Sequence, residues 1–204
     1  MATRKGDAAM MDDDYYNQWV DWWEYLGYHD WRMDEIMQAD YITPDIMEHV
    51  LAALMPANAL AIRVSMATGL RIGDVLEIKT ADVQRGRWTV REGKTGKTRR
   101  VSLGRDLQSA VLRQAGHIWA FAGRSDGRKH RTRQAVYKDI RRAAEAFRLR
   151  EHVSPHTARK MYAVGALRRY GSVKRVQQLL NHDNEAVTMV YALADALTAR
   201  RLAR

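Results

Sequence analysis

Between Ser154 and Tyr191 the chain carries its own punctuation for three helices, with chemically capable side chains at their ends. Ser154 followed by Pro155 is an N-cap and a first helical residue, so a helix starts there, with His156 and Arg159 three apart on its opening turns. Both would lie beside free backbone N–H groups, a place that suits an anion. Gly171 and Ser172 close that helix and open the next, Val173 to Leu180, with an apolar edge of Val173, Val176, Leu179 and Leu180. His182 follows in a polar Asn-His-Asp-Asn corner. Asp183 or Asn184 then caps a last helix with the stripe Val187, Val190, Ala194 and Leu197, and Tyr191 at its edge. Taken singly, each is an ordinary surface or half-buried residue. Together they bring two imidazoles, a guanidinium and a phenol to helix ends that can pack against one another.

The earlier chain adds two cations to that set. Thr43-Pro44 predicts a helix to about Met55, which Pro56 stops, and Asn58 to Thr68 is apolar all round, with Leu60, Ile62, Val64, Met66 and Ala67, as a central core helix is. Gly69 ends it. Arg71 emerges just beyond, and Asp74, three residues on, can hold its guanidinium by a bidentate pair. Past Glu77 the periodicity changes to alternation at Trp88 and Val90, then at Val101 and Leu103, around Glu92-Gly93-Lys94-Thr95-Gly96-Lys97: a β-hairpin with a basic tip. A phosphate loop would need glycine at Arg91 or Trp88 and a helix where the second strand is expected, so the GKT triplets are not one. A lysine on such a tip suits reaching into a groove or giving a proton to a leaving oxygen. Arg105 to about Gly116 is helical and Trp119 to Lys129 loop-like; Thr132 caps a helix with the inner stripe Val136, Ile140, Ala143 and Phe147. His152 and His156 lack a third ligand nearby, so no metal site is expected.

Charge narrows the partner. The net charge is +10, but residues 1 to 50 hold 3 Lys/Arg against 12 Asp/Glu, whereas residues 51 to 204 hold 31 against 12. A net of +19 on the larger part, which is also periodic and apolar enough to fold, points to a polyanion and first of all to nucleic acid. Lys97, Arg99, Arg133, Lys138, Arg141 and Lys160 are candidate phosphate contacts. Residues 1–40 form a separate acidic segment, rich in Trp and Tyr from Tyr15 to Trp31; its carboxylates would repel phosphate, so it is expected to dock on protein, over the basic surface or on a neighbouring protomer. The chain has no cysteine, which excludes disulfides, zinc–thiolate sites and thiol catalysis, and no run of membrane-spanning length. The expected setting is cytoplasmic, on the nucleoid.

In order, the candidate set is Arg71, Lys94, His156, Arg159, His182 and Tyr191. It resembles the tyrosine recombinase, or phage integrase, family through TGLRIGDVLEIKTADV around Arg71, GKTGKTRRVSL around Lys94, HTARKMYA as the family's HxxR motif, and LLNHDNEAVTMVY. Where members often have Leu-Gly-His and Leu-Arg-His, this chain has Leu180-Asn181-His182 and Ala158-Arg159-Lys160, and the chemical residues are kept. The resemblance implies the family's catalytic-domain fold over 41–204, mainly α with a small antiparallel β-hairpin. Members usually carry a helical DNA-binding domain of about a hundred residues in front, an ordinary domain size. The acidic segment in its place is similar to short, catalytic-domain-only members, some of which invert promoter elements.

What the resemblance implies is cleavage and rejoining of double-stranded DNA without ATP, metal or other cofactor. Tyr191 would form a 3′-phosphotyrosyl link, Arg71, Arg159 and His182 would stabilise the phosphorane, Lys94 would protonate the leaving 5′ oxygen, and His156 would serve as an acid/base or a positioning group near the phenol. Members act as tetramers on paired sites, and the family setting, mobile elements, leaves room for an accessory DNA-bending or directionality protein. A type IB topoisomerase uses a similar set but usually has lysine at the position of His156; a non-catalytic DNA-binding regulator on the same fold is the other alternative.

Overall fold

A computed structural model of the protein describes residues 39–183 and 185–203. The acidic, aromatic stretch lies outside the described residues up to position 38, as does the cap proposed at Asn184. The chain begins with α1 (Pro44–Ala52) and α2 (Pro56–Thr68), followed by the short helices α3 (Ile72–Leu76) and α4 (Thr80–Gln84). An antiparallel hairpin, β1 (Arg87–Arg91) and β2 (Thr98–Ser102), leads to α5 (Arg105–Gln114) and α6 (Arg133–Ala146). The last part is helical: α7 (Pro155–Tyr170), α8 (Val173–Leu180), α9 (Glu185–Ala192) and α10 (Ala194–Ala203). The fold is therefore mainly α with one two-stranded sheet.

The caps read from the sequence do their work. Thr43 Oγ1 accepts from Ile46 N, Thr132 Oγ1 from Ala135 N, and Ser154 joins Thr157 in a capping box at the start of α7. Pro56 does not stop α1. It opens α2 as its first residue, where its missing N–H costs nothing, and α1 has already ended at Ala52.

Two cores share α7. The larger is built by α1, α2, α3, α6 and the inward residues of the hairpin, Trp88, Val90 and Val101. The smaller packs Ala163, Ala166 and Leu167 of α7 against Val176 and Leu180 of α8 and Val190, Tyr191 and Leu193 beyond. Residues on all sides of α7 are thus buried, Ala158, Arg159 and Lys160 included. Gly69 closes α2 at φ 67°, and a Cβ there would stand 2.5 Å from the Tyr162 ring of α7, so only glycine lets α2 end in direct contact with α7.

Two further expectations about the helices fail. Phe147 is 47% exposed, because α6 ends at Ala146 and Arg148 turns the chain at φ 52°, so the helical stripe no longer governs it. The last helix is two: the chain breaks at Leu193, which puts Tyr191 near the C-terminal end of α9. Helix α10 then packs on α7, with Tyr41 N donating to Thr198 Oγ1 at 2.9 Å and Arg168 pairing with Asp195 at 2.6 Å.

Candidate active site

Arg159 is the hub. Side chains on the second turn of α7 face the junction of α2, α8 and α9, and Arg159 is only 1% exposed there. One guanidinium nitrogen donates to Gly69 O at the end of α2; the other donates to Leu180 O at 2.8 Å and faces His182 Nε2 at 2.9 Å. Burial lowers its pKa to about 10, so it stays charged at neutral pH. Its Nε has no partner.

The two imidazoles are set by local backbone. His156 lies one turn before Arg159 and its Nδ1 is 3.1 Å from the Tyr191 hydroxyl. Burial, and then the charges of Arg159, Lys160, Arg71 and Lys94, lower its pKa to about 4. The ring is neutral at physiological pH, so Nδ1 can accept the phenol's proton. Asn181 ends α8 in the left-handed region, at φ 58°, where asparagine is tolerated, and this turns His182 back over the site. A guanidinium has only donors, so His182 Nε2 accepts from Arg159, and the ring's proton sits on Nδ1, which donates to Thr188 Oγ1 at 3.2 Å. Burial, with Arg159 next, holds this imidazole far below its ordinary pKa. In this arrangement His182 Nε2 is an acceptor, and to donate to a phosphate it must both release Arg159 and carry a proton on Nε2.

Tyr191 completes the centre. It is 2% exposed, its ring centroid lies 5.3 Å from that of His182, and the Arg159 guanidinium carbon is 5.8 Å from it. Arg71, the N-cap residue of α3, is more open at 21% side-chain exposure, and it forms an ion pair with Glu92. Asp74 was expected to be that partner. It instead accepts from Gly93 N at 2.9 Å through Oδ1, a bond to the root of the hairpin that also brings Glu92 to Arg71. Lys94 is exposed on the turn that follows β1, near enough for its charge to act on His156.

The sequence profile of the phage integrase family matches residues 37–197. The chain belongs to the phage integrase family. A tyrosine recombinase of Thermosipho africanus is 28% identical over 162 residues, covering 74% of this chain and 56% of the relative. The tyrosine recombinase XerD of Ralstonia nicotianae is 33% identical over 145 residues, covering 64% and 46%. The chain spans about half the length of the curated relatives it matches. Among solved structures, a lambda integrase dimer bound to a COC′ core site superposes with a TM-score of 0.64 at 22% identity, over 76% of this chain and 59% of that one, which places the fold among tyrosine recombinase catalytic domains.

In this phage integrase family member the expected DNA contacts separate into two groups. Arg133 and Lys138 are exposed on α6, Arg141 is half-buried there with Glu145 at 3.3 Å, and Lys97 pairs with the exposed Asp183. Arg99 and Lys160 are not surface contacts. Arg99 donates to Leu179 O and to Thr68 O at 2.9 Å, tying β2 to the ends of α8 and α2. Lys160 is 4% exposed, donates to Ala39 O at 2.5 Å, and has its pKa lowered to about 8 by burial, with Asp40 opposing. Among the described residues no group of His, Asp or Glu could hold a metal, and no helix is long and apolar enough to cross a membrane.

Glu92 and Thr188 were missed. Glu92 had a signal: the inward alternation Trp88, Val90 places a carboxylate at the next inward position.

The buried imidazoles make stability pH-dependent. His156 is protonated near pH 6.5 in the unfolded chain but only near 4 in the fold, so the unfolded state binds more protons between these values and stability is lost as pH falls through that window. At about 1.4 kcal/mol per pH unit the loss from His156 is about 3 kcal/mol, and His182 adds to it. Thermal melts should show Tm falling from pH 6.5 towards 4, and His156→Gln should flatten that slope; a pH-independent Tm would contradict it.

Proposed function

We propose that this chain is the catalytic domain, over residues 41–204, of a site-specific DNA recombinase that cleaves and rejoins strands through a 3′-phosphotyrosyl intermediate. One observation carries the reading: the Tyr191 hydroxyl lies 3.1 Å from an imidazole held neutral, in contact with a buried cation that stays charged. The phenol oxygen attacks a backbone phosphorus while His156 Nδ1 takes its proton. Arg71 and Arg159, the latter through the Nε it has unused, neutralise the non-bridging oxygens of the phosphorane, and His182 joins them once it releases Arg159 and its proton has moved from Nδ1 to Nε2. Lys94 gives a proton to the 5′ oxygen as it departs. The ester bond broken is replaced by the ester bond to Tyr191, so the reverse attack by a 5′ hydroxyl rejoins DNA with no input of ATP.

The substrate is double-stranded DNA, met by the basic face of the hairpin tip and α6, where Lys97, Arg133, Lys138 and Arg141 contact phosphates. Exchange between two sites requires more than one such centre, hence assembly of several copies on paired sites; lambda integrase has been crystallised as a tetramer on a Holliday junction. An accessory DNA-bending protein and a place on the nucleoid fit this role. The acidic segment 1–40 is assigned to regulating access to DNA.

The test is covalent capture. A library of nicked duplexes with randomised core sequence is incubated with the protein, denatured, and the retained DNA sequenced. Retention of a defined core, with the adduct mapped to Tyr191, is expected; non-covalent binding with no adduct across the library would leave a DNA-binding regulator. On the recovered core, Arg71→Ala should slow single-turnover cleavage about 100- to 1000-fold, the usual cost of one donor at a developing charge. Cleavage by Arg71→Ala at the wild-type rate would remove Arg71 from the mechanism.

A further inference from the structure

Glu92 is 0% exposed and sits among cations. Its Oε2 pairs with an Arg71 terminal nitrogen, its Oε1 lies 3.4 Å from Arg99 Nε and 3.4 Å from Asn181 Nδ2, and its negative charge raises the pKa of neighbouring Asp74, after burial itself. Its backbone closes the turn that carries Lys94: Glu92 N donates to Lys97 O and Gly96 N donates to Glu92 O, both at 2.8 Å. Glu92 therefore joins three parts of the site: its carboxylate meets the Arg71 guanidinium and the residue before His182, and its backbone forms the root of the Lys94 turn.

We infer that Glu92 is a positioning residue for the cleavage step, orienting Arg71 from its buried side so that the remaining guanidinium N–H groups face the scissile phosphate. This rests on the recombinase reading of the same site. Arg71 offers five donors in a fixed fork, Glu92 occupies one end of it, and the Arg71 side chain keeps 21% exposure while the carboxylate has none. Arg99 and Asn181, each 3.4 Å from the other oxygen, oppose a swing of Glu92 toward an incoming phosphate. A glutamine here keeps the shape and an acceptor but replaces the ion pair that fixes the fork with a weaker bond to a neutral oxygen. Misplacement of a phosphate-binding group by about 1 Å costs on the order of a hundredfold in rate.

The experiment is a double-mutant cycle on the captured core duplex, with wild type forming the Tyr191 adduct as the control for the recombinase reading. Glu92→Gln should slow single-turnover cleavage about 10- to 100-fold, with Kd for the duplex changed by less than about threefold, since the phosphate contacts on the hairpin and α6 remain. In the Arg71→Ala background the same substitution should cost less than about threefold, because the group that Glu92 orients is gone. An equal cost in both backgrounds means a general structural role and overturns the inference; so does Glu92→Gln cleaving within twofold of wild type. Should Glu92→Gln lack a cooperative thermal transition, the cycle is run with Glu92→Asp, which keeps the charge and withdraws it by one methylene, and the same two outcomes decide. Failure of wild type to form any adduct would instead count against the recombinase reading.

Discussion

Arg159→Ala is expected to lose DNA cleavage altogether and to melt about 10 °C below the wild type. The guanidinium satisfies two backbone carbonyls, Gly69 O and Leu180 O, and the ring nitrogen of His182, all in a place where Arg159 itself is 1% exposed. Truncation strands three acceptors in a protein interior and opens a cavity, which together cost about 3–5 kcal/mol. For a domain of this size each kcal/mol moves Tm by roughly 2–4 °C. Arg159→Lys separates the two roles: it retains a cation, but a point charge cannot fork to α2 and α8 at once, so it should recover less than half of the lost Tm and still cleave at least about 100-fold more slowly. Melting followed by circular dichroism, with cleavage assayed below the transition, checks both. An Arg159→Ala protein with unchanged Tm would mean that the junction of α2, α7 and α8 is held by something else.

Tyr191→Phe is the complementary case, with total loss of chemistry and little loss of structure. Its ring is packed in the smaller core with Val176, Leu180 and Val190, and phenylalanine keeps that packing. What disappears is the hydroxyl and its bond to His156, at about 1 kcal/mol of stability, together with the only nucleophile in the proposed mechanism. Covalent protein–DNA complex should fall to zero, while duplex affinity stays within about threefold of wild type, because the phosphate-contacting cations are untouched. Adduct formed by the phenylalanine variant would place the nucleophile elsewhere.

The contrast between these variants follows how far each side chain's role could be read from residue order. Local signals survived folding well. Ser154 caps α7, Gly69 and Gly171 end their helices in the left-handed region, and the alternation at Trp88 and Val90 and again at Val101 does mark a hairpin. These depend on neighbours a few residues away. The partner of Arg71 does not: Asp74 lies three residues on and satisfied every local criterion, yet the ion pair goes to Glu92, brought in when the hairpin docks on α3. Arg99 and Lys160 mislead for the same reason, since a basic residue near a motif looks like a phosphate contact until packing surrounds it with carbonyl oxygens. The break at Leu193 has no glycine or proline to announce it.

Residue order already contains the chemical vocabulary of the chain: the phenol, imidazoles and guanidinium groups, and the helix ends that present them. Their protonation and their partners arise on folding. A pKa and an ion pair depend on burial and on charges distant in the chain, so His156 is held neutral only inside the junction of α2, α7 and α9, and Arg71 is paired with a carboxylate twenty-one residues away.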